Sequence, residues 1–150
     1  MMKIFLDIDG VMVHANPYKK VDMEEDGFYK FNKNAVDAIN SIDYNEIEIV
    51  LSTSHRFRFS IQVWKNIFSK RNIKFKEISI IDLKLDSNLS RKEEIEKWIN
   101  DNKINLNDLI IIDDDKSLNG LPENLKKRLV LTDPYIGLKD AMLIKQILEQ

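Results

Sequence analysis

The sequence predicts an α/β fold, a three-layer arrangement in which helices cover both faces of a mainly parallel central sheet of about five strands. Short aliphatic runs alternate along the chain with segments of helical periodicity. The runs are continuously apolar, which is typical of strands buried on both faces of a parallel sheet. Polar residues follow the runs directly, and ligands bind beyond the carboxyl ends of such strands. The residues after each run are therefore the candidates for a functional site.

The strand prediction rests mainly on four aliphatic runs. A further segment, 74–81, alternates imperfectly and completes the sheet. In chain order the predicted strands are 3–6, 47–51, 74–81, 109–112 and 129–131.

Helical spacing of apolar residues fills the segments between the strands. The pattern i, i+3, i+4, i+7 or a close variant occurs in 35–42, 57–68, 95–99 and 141–148. Ser90 and Glu93 form an S-x-x-E capping box, which predicts that the third helix begins there. Gly120 and Pro122 indicate one break, and Asp133 with Pro134 indicates another.

Composition excludes several functional classes. The chain has 150 residues and a net charge of −2, so bulk charge does not hold nucleic acid, although a local basic patch stays open. It has no cysteine, which excludes disulfides, zinc thiolates and cysteine nucleophiles. With only two histidines, a histidine-rich metal site is excluded. No apolar run is long enough for a membrane span or a signal peptide, so we expect a soluble, cytoplasmic protein.

Acidic residues follow two of the predicted strands. Asp7 and Asp9 come after the first, with Gly10 for a tight turn, and the acids of 113–115 come after the fourth. Carboxylates from two strands can hold a hard cation such as Mg²⁺. An aspartate can also attack phosphorus, while a second aspartate protonates the leaving group and then activates water.

Groups that bind phosphate accompany these acids. Ser52 follows the second strand, and Arg91 and Lys92 lie in the first turn of the third helix. Cations are disfavoured at that end of a helix by its dipole, so their position there indicates a nearby anion.

The content and order of these motifs resemble the haloacid dehalogenase (HAD) superfamily of phosphotransferases. The matching segments are IFLDIDGVMVH (4–14), IVLSTSHR (49–56), RKEEI (91–95) and IIIDDD (110–115). A finer resemblance is to the small HAD domains related to Swiss Army Knife RNA-repair proteins, whose last motif, TDP-x-x-GL, stands here at 132–138. The sequence departs from that subgroup at His55, where the subgroup tends to have tryptophan.

By position, the resemblance implies Asp7 as the nucleophile and Asp9 as the general acid and base. It implies Ser52 and Lys92 as ligands of the transferring phosphoryl group, with Arg91 as the alternative to Lys92. The implied ligands of Mg²⁺ are Asp7, Asp9 through its backbone carbonyl, Asp113 and Asp114.

The sequence leaves little room for a cap over this site. We expect a single domain, 1–150, in which only 10–34 is available for an insert, enough for a hairpin flap. An open site suits a large phosphorylated substrate, such as an RNA or DNA end or a phosphoprotein, and a small metabolite stays open as an alternative. Arg56 is the residue expected to bind a second phosphate. No membrane and no obligate protein partner is expected.

The predicted function is thus an Mg²⁺-dependent phosphatase that acts through an aspartyl-phosphate. Two alternatives remain open. One is a non-catalytic binding or assembly module on the same fold. The other is a receiver-like signalling domain, although in receivers the lysine comes last, whereas here Lys92 precedes Asp113.

Overall fold

The computed structural model describes residues 1–43, 45–83 and 88–150, which contain a five-stranded, all-parallel sheet. Five helices accompany the sheet in this part of the chain, together with two short 3-10 segments, Leu106–Asp108 and Lys116–Gly120. The elements are β1 (Met2–Leu6), α1 (Lys33–Asn40), β2 (Ile47–Leu51), α2 (Ile61–Lys70), β3 (Glu77–Ile80), α3 (Arg91–Asp101), β4 (Leu109–Asp113), α4 (Glu123–Lys126), β5 (Leu129–Leu131) and α5 (Met142–Leu148). The strand order is β3-β2-β1-β4-β5, which places β1 at the centre. The predicted α/β class and parallel sheet are confirmed.

Strand residues of alternate parity enter two separate apolar clusters, one on each face of the sheet. Ile4 and Leu6 pack in a cluster with α1, α2 and α5, whereas Phe5 packs on the other face with residues of α3 and α4. Because both faces are covered, the central strands are almost entirely apolar, and the exceptions before their carboxyl ends, Lys3 and Glu48, pair with each other near the start of β1 and β2. The fold is therefore the three-layer arrangement that the sequence predicted.

Local signals set where the helices begin. Ser90 accepts a hydrogen bond from the backbone N–H of Glu93, whose side chain returns to Ser90, so the predicted capping box is present. The second helix begins at Ile61 rather than near residue 57, because the Ser60 side chain caps it by accepting from the N–H of Val63. Phe57, which the periodicity placed on the helix, is 43% exposed.

Parallel register brings the carboxyl ends of the three middle strands together. Leu6 is paired with Leu51 on one side and with Ile112 on the other. The ladder continues one residue further, since the N–H of Asp7 donates to Ile112 O at 3.1 Å and that of Ser52 donates to Leu6 O at 3.1 Å. Asp7, Ser52 and Asp113 therefore leave the sheet at one edge.

Residues 10–34, predicted as a flap, contain a helical turn and a short hairpin. The N–H groups of Val11, Met12 and Val13 all donate to Ile8 O. Further along, Met23 and Tyr29 form an antiparallel bridge.

The described helices include none with the length and apolarity needed to cross a bilayer.

A buried ion pair anchors this hairpin to the end of α2. The Arg71 guanidinium donates to both carboxylate oxygens of Asp26, at 2.7 and 2.9 Å, and to the carbonyl oxygens of Tyr29 and Ile67. The ring of Phe31 lies 5.1 Å from the Arg71 guanidinium carbon. Hydrogen bonds from Arg71 lower the pKa of Asp26 to about 2. The hairpin is thus fixed by an interaction between residues that are 45 positions apart in sequence.

We predict that Asp26→Asn destabilises the protein by about 1–3 kcal/mol, because both terminal nitrogens of a buried guanidinium lose their charged partner. Urea unfolding at pH 7 measures the loss. The depressed pKa means that this contribution is present above pH 4 and fades as the pH falls toward 2, so the gap between parent and variant narrows in acid.

Asp37→Asn is the matched control, since it removes the carboxylate of the exposed Lys33–Asp37 pair. It should change the unfolding free energy by less than about 0.5 kcal/mol. An Asp26→Asn protein as stable as its parent would contradict the anchoring role.

Candidate active site

Three carboxylates meet at the carboxyl edge of the sheet. Asp7, Asp113 and Asp114 each offer one oxygen atom, and these three atoms lie within 4.8 Å of one another. Asp7 and Asp113 are buried, and Asp114 is half-buried. Backbone amides fix two of them, because the N–H of Ile8 donates to Asp7 Oδ1 at 2.8 Å and that of Asp115 donates to Asp113 Oδ1 at 3.0 Å.

Arg91 supplies the positive charge at this cluster. Its Nη1 atom lies 2.7 Å from Asp113 Oδ2 and 3.6 Å from Asp7 Oδ2. Burial disfavours the charged guanidinium, but Asp113 and Asp7 outweigh that effect and raise the pKa of Arg91. The cation at the start of α3 is therefore explained by the anions that it faces.

One arginine cannot neutralise three carboxylates, and the pKa values of these acids are raised. Burial raises the pKa of Asp7 to about 7, with Arg91 opposing the shift and Asp114 adding to it. Burial, followed by the charge of Asp7, raises the pKa of Asp113 to about 7. Burial also raises the pKa of Asp114. With the protein's own groups alone, the cluster retains protons near neutral pH.

Asp9 lies at the rim of the cluster and pairs with a histidine. Its Oδ2 atom is 2.7 Å from His55 Nε2, and the Asp9 side chain is 41% exposed. The sequence predicted His55, with His14 and Arg56, beside the open pocket as a residue that selects the substrate; it did not predict the contact with Asp9. The signal that pointed to it was its place three residues after Ser52, at the edge where the site forms.

The turn after β1 fits closely against Asp114. Gly10 has a φ of +81°, and a Cβ there would collide with the carboxylate of Asp114. The hydroxyl of Thr132 donates to Gly10 O at 2.6 Å, and the N–H of Leu138 donates to Val11 O at 2.8 Å. The segment 132–138 therefore supports the turn that carries the site, which gives the TDP-x-x-GL motif a structural role.

Ser52 lies within the site. It is fully buried, and its Oγ atom is 3.5 Å from Asp113 Oδ2. The structure thus brings Asp7, Ser52, Asp113, Asp114 and Arg91 together, whereas Asp9, two residues after Asp7, is not one of the three carboxylates that meet.

Lys92 does not join the cluster, and this corrects the preference for it over Arg91. Its ammonium pairs with Glu96 at 2.9 Å, and its alkyl chain lies against Gly120. Consecutive residues on a helix point in different directions, so only one of the two cations can face the sheet edge. That cation is Arg91.

Arg56 also lies outside the reach of a substrate, which corrects the expectation that it grips a second phosphate. It is 1% exposed and donates to the carbonyl oxygens of Thr53, Ile81 and Leu83. It also pairs with the carboxylate of Glu94. Its donors are consumed within the protein, so its role is to hold the loop after β2 against α3.

Comparison with known protein families shows to which family the chain belongs. The family model described as "HAD domain in Swiss Army Knife RNA repair proteins" matches residues 3–143. The chain belongs to this HAD family. Membership supports a hydrolase or phosphatase of the HAD type, a superfamily that usually uses Mg²⁺. A comparison with curated protein sequences found no match.

The raised pKa values of this HAD site predict how stability depends on pH. Asp7 and Asp113 ionise near pH 4 in the unfolded chain and near pH 7 in the folded protein. The folded protein therefore holds more protons between these values, and its stability falls as the pH rises through this window. In EDTA, we predict that the melting temperature falls by at least about 5 °C from pH 5 to pH 8.

Asp114→Asn should reduce that decline, because it removes one carboxylate and supplies an amide that can donate to Asp7. Asp108→Asn is the control, since it removes the same charge from an exposed position. Differential scanning fluorimetry across the pH range measures both. A parent melting temperature that does not change with pH in EDTA would contradict the raised pKa values of Asp7 and Asp113.

Proposed function

We propose that the protein is an Mg²⁺-dependent phosphatase that acts through an aspartyl-phosphate on Asp7. The observation that carries this proposal is the cluster of Asp7, Asp113 and Asp114 around Arg91. It combines a buried nucleophile, a cation that neutralises charge and oxygen donors for a metal in one place.

The donor set fits a hard divalent cation. Asp7, Asp113 and Asp114 present carboxylate oxygens within 4.8 Å of one another, and Mg²⁺ prefers such ligands. The family resemblance adds the backbone carbonyl of Asp9. Bound there, Mg²⁺ would neutralise charge on the transferring phosphoryl group and keep the carboxylates ionised.

The first half-reaction transfers the phosphoryl group to the protein. A carboxylate oxygen of Asp7 attacks phosphorus, and the bond from phosphorus to the leaving oxygen breaks. Asp9, protonated at that stage, gives its proton to the leaving oxygen. In this proposal Arg91, which lies 3.6 Å from Asp7 Oδ2, and Ser52, which lies 3.5 Å from Asp113 Oδ2, bind the phosphoryl oxygens, and the charge of Arg91 stabilises them.

The second half-reaction returns Asp7 to its starting state. Asp9, now a carboxylate, takes a proton from water as the water oxygen attacks phosphorus. The acyl-phosphate bond breaks, Asp7 leaves as a carboxylate, and inorganic phosphate forms. Asp9 ends protonated, ready for the next substrate.

The substrate class that we propose is a large phosphorylated molecule, with an RNA or DNA end as the first candidate. The description of the family supports it. So does a groove of about 300 Å³ in the predicted flap, whose lining includes three lysines, Lys20, Lys30 and Lys33, against one acid, Asp22. Such a basic surface suits a polyanion. Arg56 does not contribute to this surface, because its side chain is buried.

We predict that Asp7→Asn abolishes turnover, because an amide keeps the shape of the side chain but cannot act as an anionic nucleophile. The test measures release of phosphate from p-nitrophenyl phosphate and from an RNA oligonucleotide with a terminal phosphate, with and without Mg²⁺. The parent should act on both only with the metal.

The outcomes separate the elements of the proposal. Steady-state turnover by pure Asp7→Asn would overturn the assigned nucleophile. A parent active on the aryl phosphate alone would direct the substrate assignment to small molecules or proteins. A parent that acts on neither would favour the non-catalytic alternative.

Neighbouring residues of α3 offer a second, internally controlled prediction. Arg91→Gln should lower kcat/KM for p-nitrophenyl phosphate by about 100-fold or more, since the site loses its only arginine contact to Asp7 and Asp113 among the described residues. Lys92→Gln, one residue away, should change it by less than about 3-fold. The reverse ranking would restore Lys92 as the phosphate-binding cation.

A further inference from the structure

His55 is a polar contact of the site that the resemblance to the family does not explain. It stands where the subgroup tends to have tryptophan. Its Nε2 atom lies 2.7 Å from Asp9 Oδ2, close enough for a charge-assisted hydrogen bond. An ionised carboxylate can only accept, so in that state Nε2 carries the proton.

Neighbouring residues fix both the backbone and the ring of His55. The backbone N–H of His55 donates to Thr53 Oγ1 at 3.2 Å. The rings of Phe28 and Tyr29, from the hairpin of 10–34, lie nearly perpendicular to the imidazole with centroids 5.7 Å away. The side chain of the buried Arg56 also fixes the loop after β2, because it donates to Thr53 O. His55 is therefore a rigid donor rather than a mobile surface group.

Asp9, in contrast, has little else to fix it. Its side chain is 41% exposed, and in the described parts of the chain His55 is the one protein group that hydrogen-bonds to its carboxylate. That contact occupies Oδ2 and leaves Oδ1 for proton exchange. Without it, no hydrogen bond from the described residues would fix the orientation of the Asp9 carboxyl group.

We infer that His55 is the positioning residue of Asp9, holding Oδ2 so that Oδ1 faces the leaving oxygen and then the attacking water. This inference rests on the proposed phosphatase function. His55 does not exchange the proton itself; the proton moves between Oδ1 of Asp9 and the leaving oxygen, and later from water to Oδ1.

The test uses leaving groups of different basicity. Phenyl phosphate needs protonation of its leaving oxygen more than p-nitrophenyl phosphate does, because phenolate is the poorer leaving group. His55→Leu should therefore lower kcat/KM for phenyl phosphate by about 10-fold or more, and for p-nitrophenyl phosphate by less than about 3-fold. A purely structural role would lower both equally.

Two amide variants serve as a matched pair. His55→Gln places a side-chain amide nitrogen near the position of Nε2 and should restore most of the phenyl phosphate activity. His55→Asn is one methylene shorter, does not reach Asp9, and should behave like His55→Leu. Equal activity of the two variants on phenyl phosphate would overturn the inference.

A double-mutant comparison tests whether His55 acts through Asp9. In an Asp9→Asn background, adding His55→Leu should cause no further loss on phenyl phosphate. Additive losses would overturn the inference. If the parent hydrolyses neither the aryl phosphates nor the RNA with a terminal phosphate, the proposed function fails, whereas the His55–Asp9 contact is tested separately.

The contact itself can be tested without turnover. Proton NMR of the parent should show a downfield imidazole N–H resonance that Asp9→Ala and His55→Leu both remove. Its absence from the parent would overturn the inference whatever the activity.

Discussion

The structure depends on one electrostatic constraint, which is that three carboxylates share a buried edge of the sheet with a single arginine. Asp7, Asp113 and Asp114 lie too close together to ionise freely, and Arg91 offsets only part of their charge. A buried cluster of like charges lowers the free energy of unfolding, so it is typical of a functional site rather than of a structural one. A bound cation together with the phosphoryl group of a substrate would satisfy that imbalance.

The surrounding fold can be understood as the support of this edge. The central position of β1 places Asp7 beside the ends of both β2 and β4. Gly10 allows the turn after β1 to pass close to Asp114, and the hydroxyl of Thr132 fixes that turn by donating to the backbone carbonyl of Gly10. Further out, the Asp26–Arg71 pair fixes the hairpin whose rings pack on His55. Polar contacts outside the cluster thus help to position the side chains of the site.

Sequence patterns predicted what depends on local chemistry and on parallel register. Continuous aliphatic runs predicted the strands, and the positions after them predicted which acids would meet. The capping box predicted the start of α3. Strand order was beyond these patterns, because periodicity does not report which strands become neighbours.

The incorrect side-chain placements share a physical cause. Arg56 follows a site residue in sequence, but its charge is satisfied by Glu94, 38 residues later, and by backbone carbonyls that no local pattern reveals. The choice between Arg91 and Lys92 depends on how α3 is rotated against the sheet, and spacing alone does not specify that rotation. The contact between His55 and Asp9, 46 residues earlier, likewise depends on the fold and on no local pattern.

The central claim is that a divalent cation completes the acidic cluster, and proton release tests it most directly. Because Asp7 and Asp113 have pKa values of about 7 without a cation, Mg²⁺ binding near pH 6.5 should displace protons. Isothermal titration calorimetry in buffers of different ionisation enthalpy counts them. We expect Mg²⁺ binding with release of about one proton or more at pH 6.5 and progressively less toward pH 9. Absence of binding, or binding with no proton release at either pH, would contradict the claim.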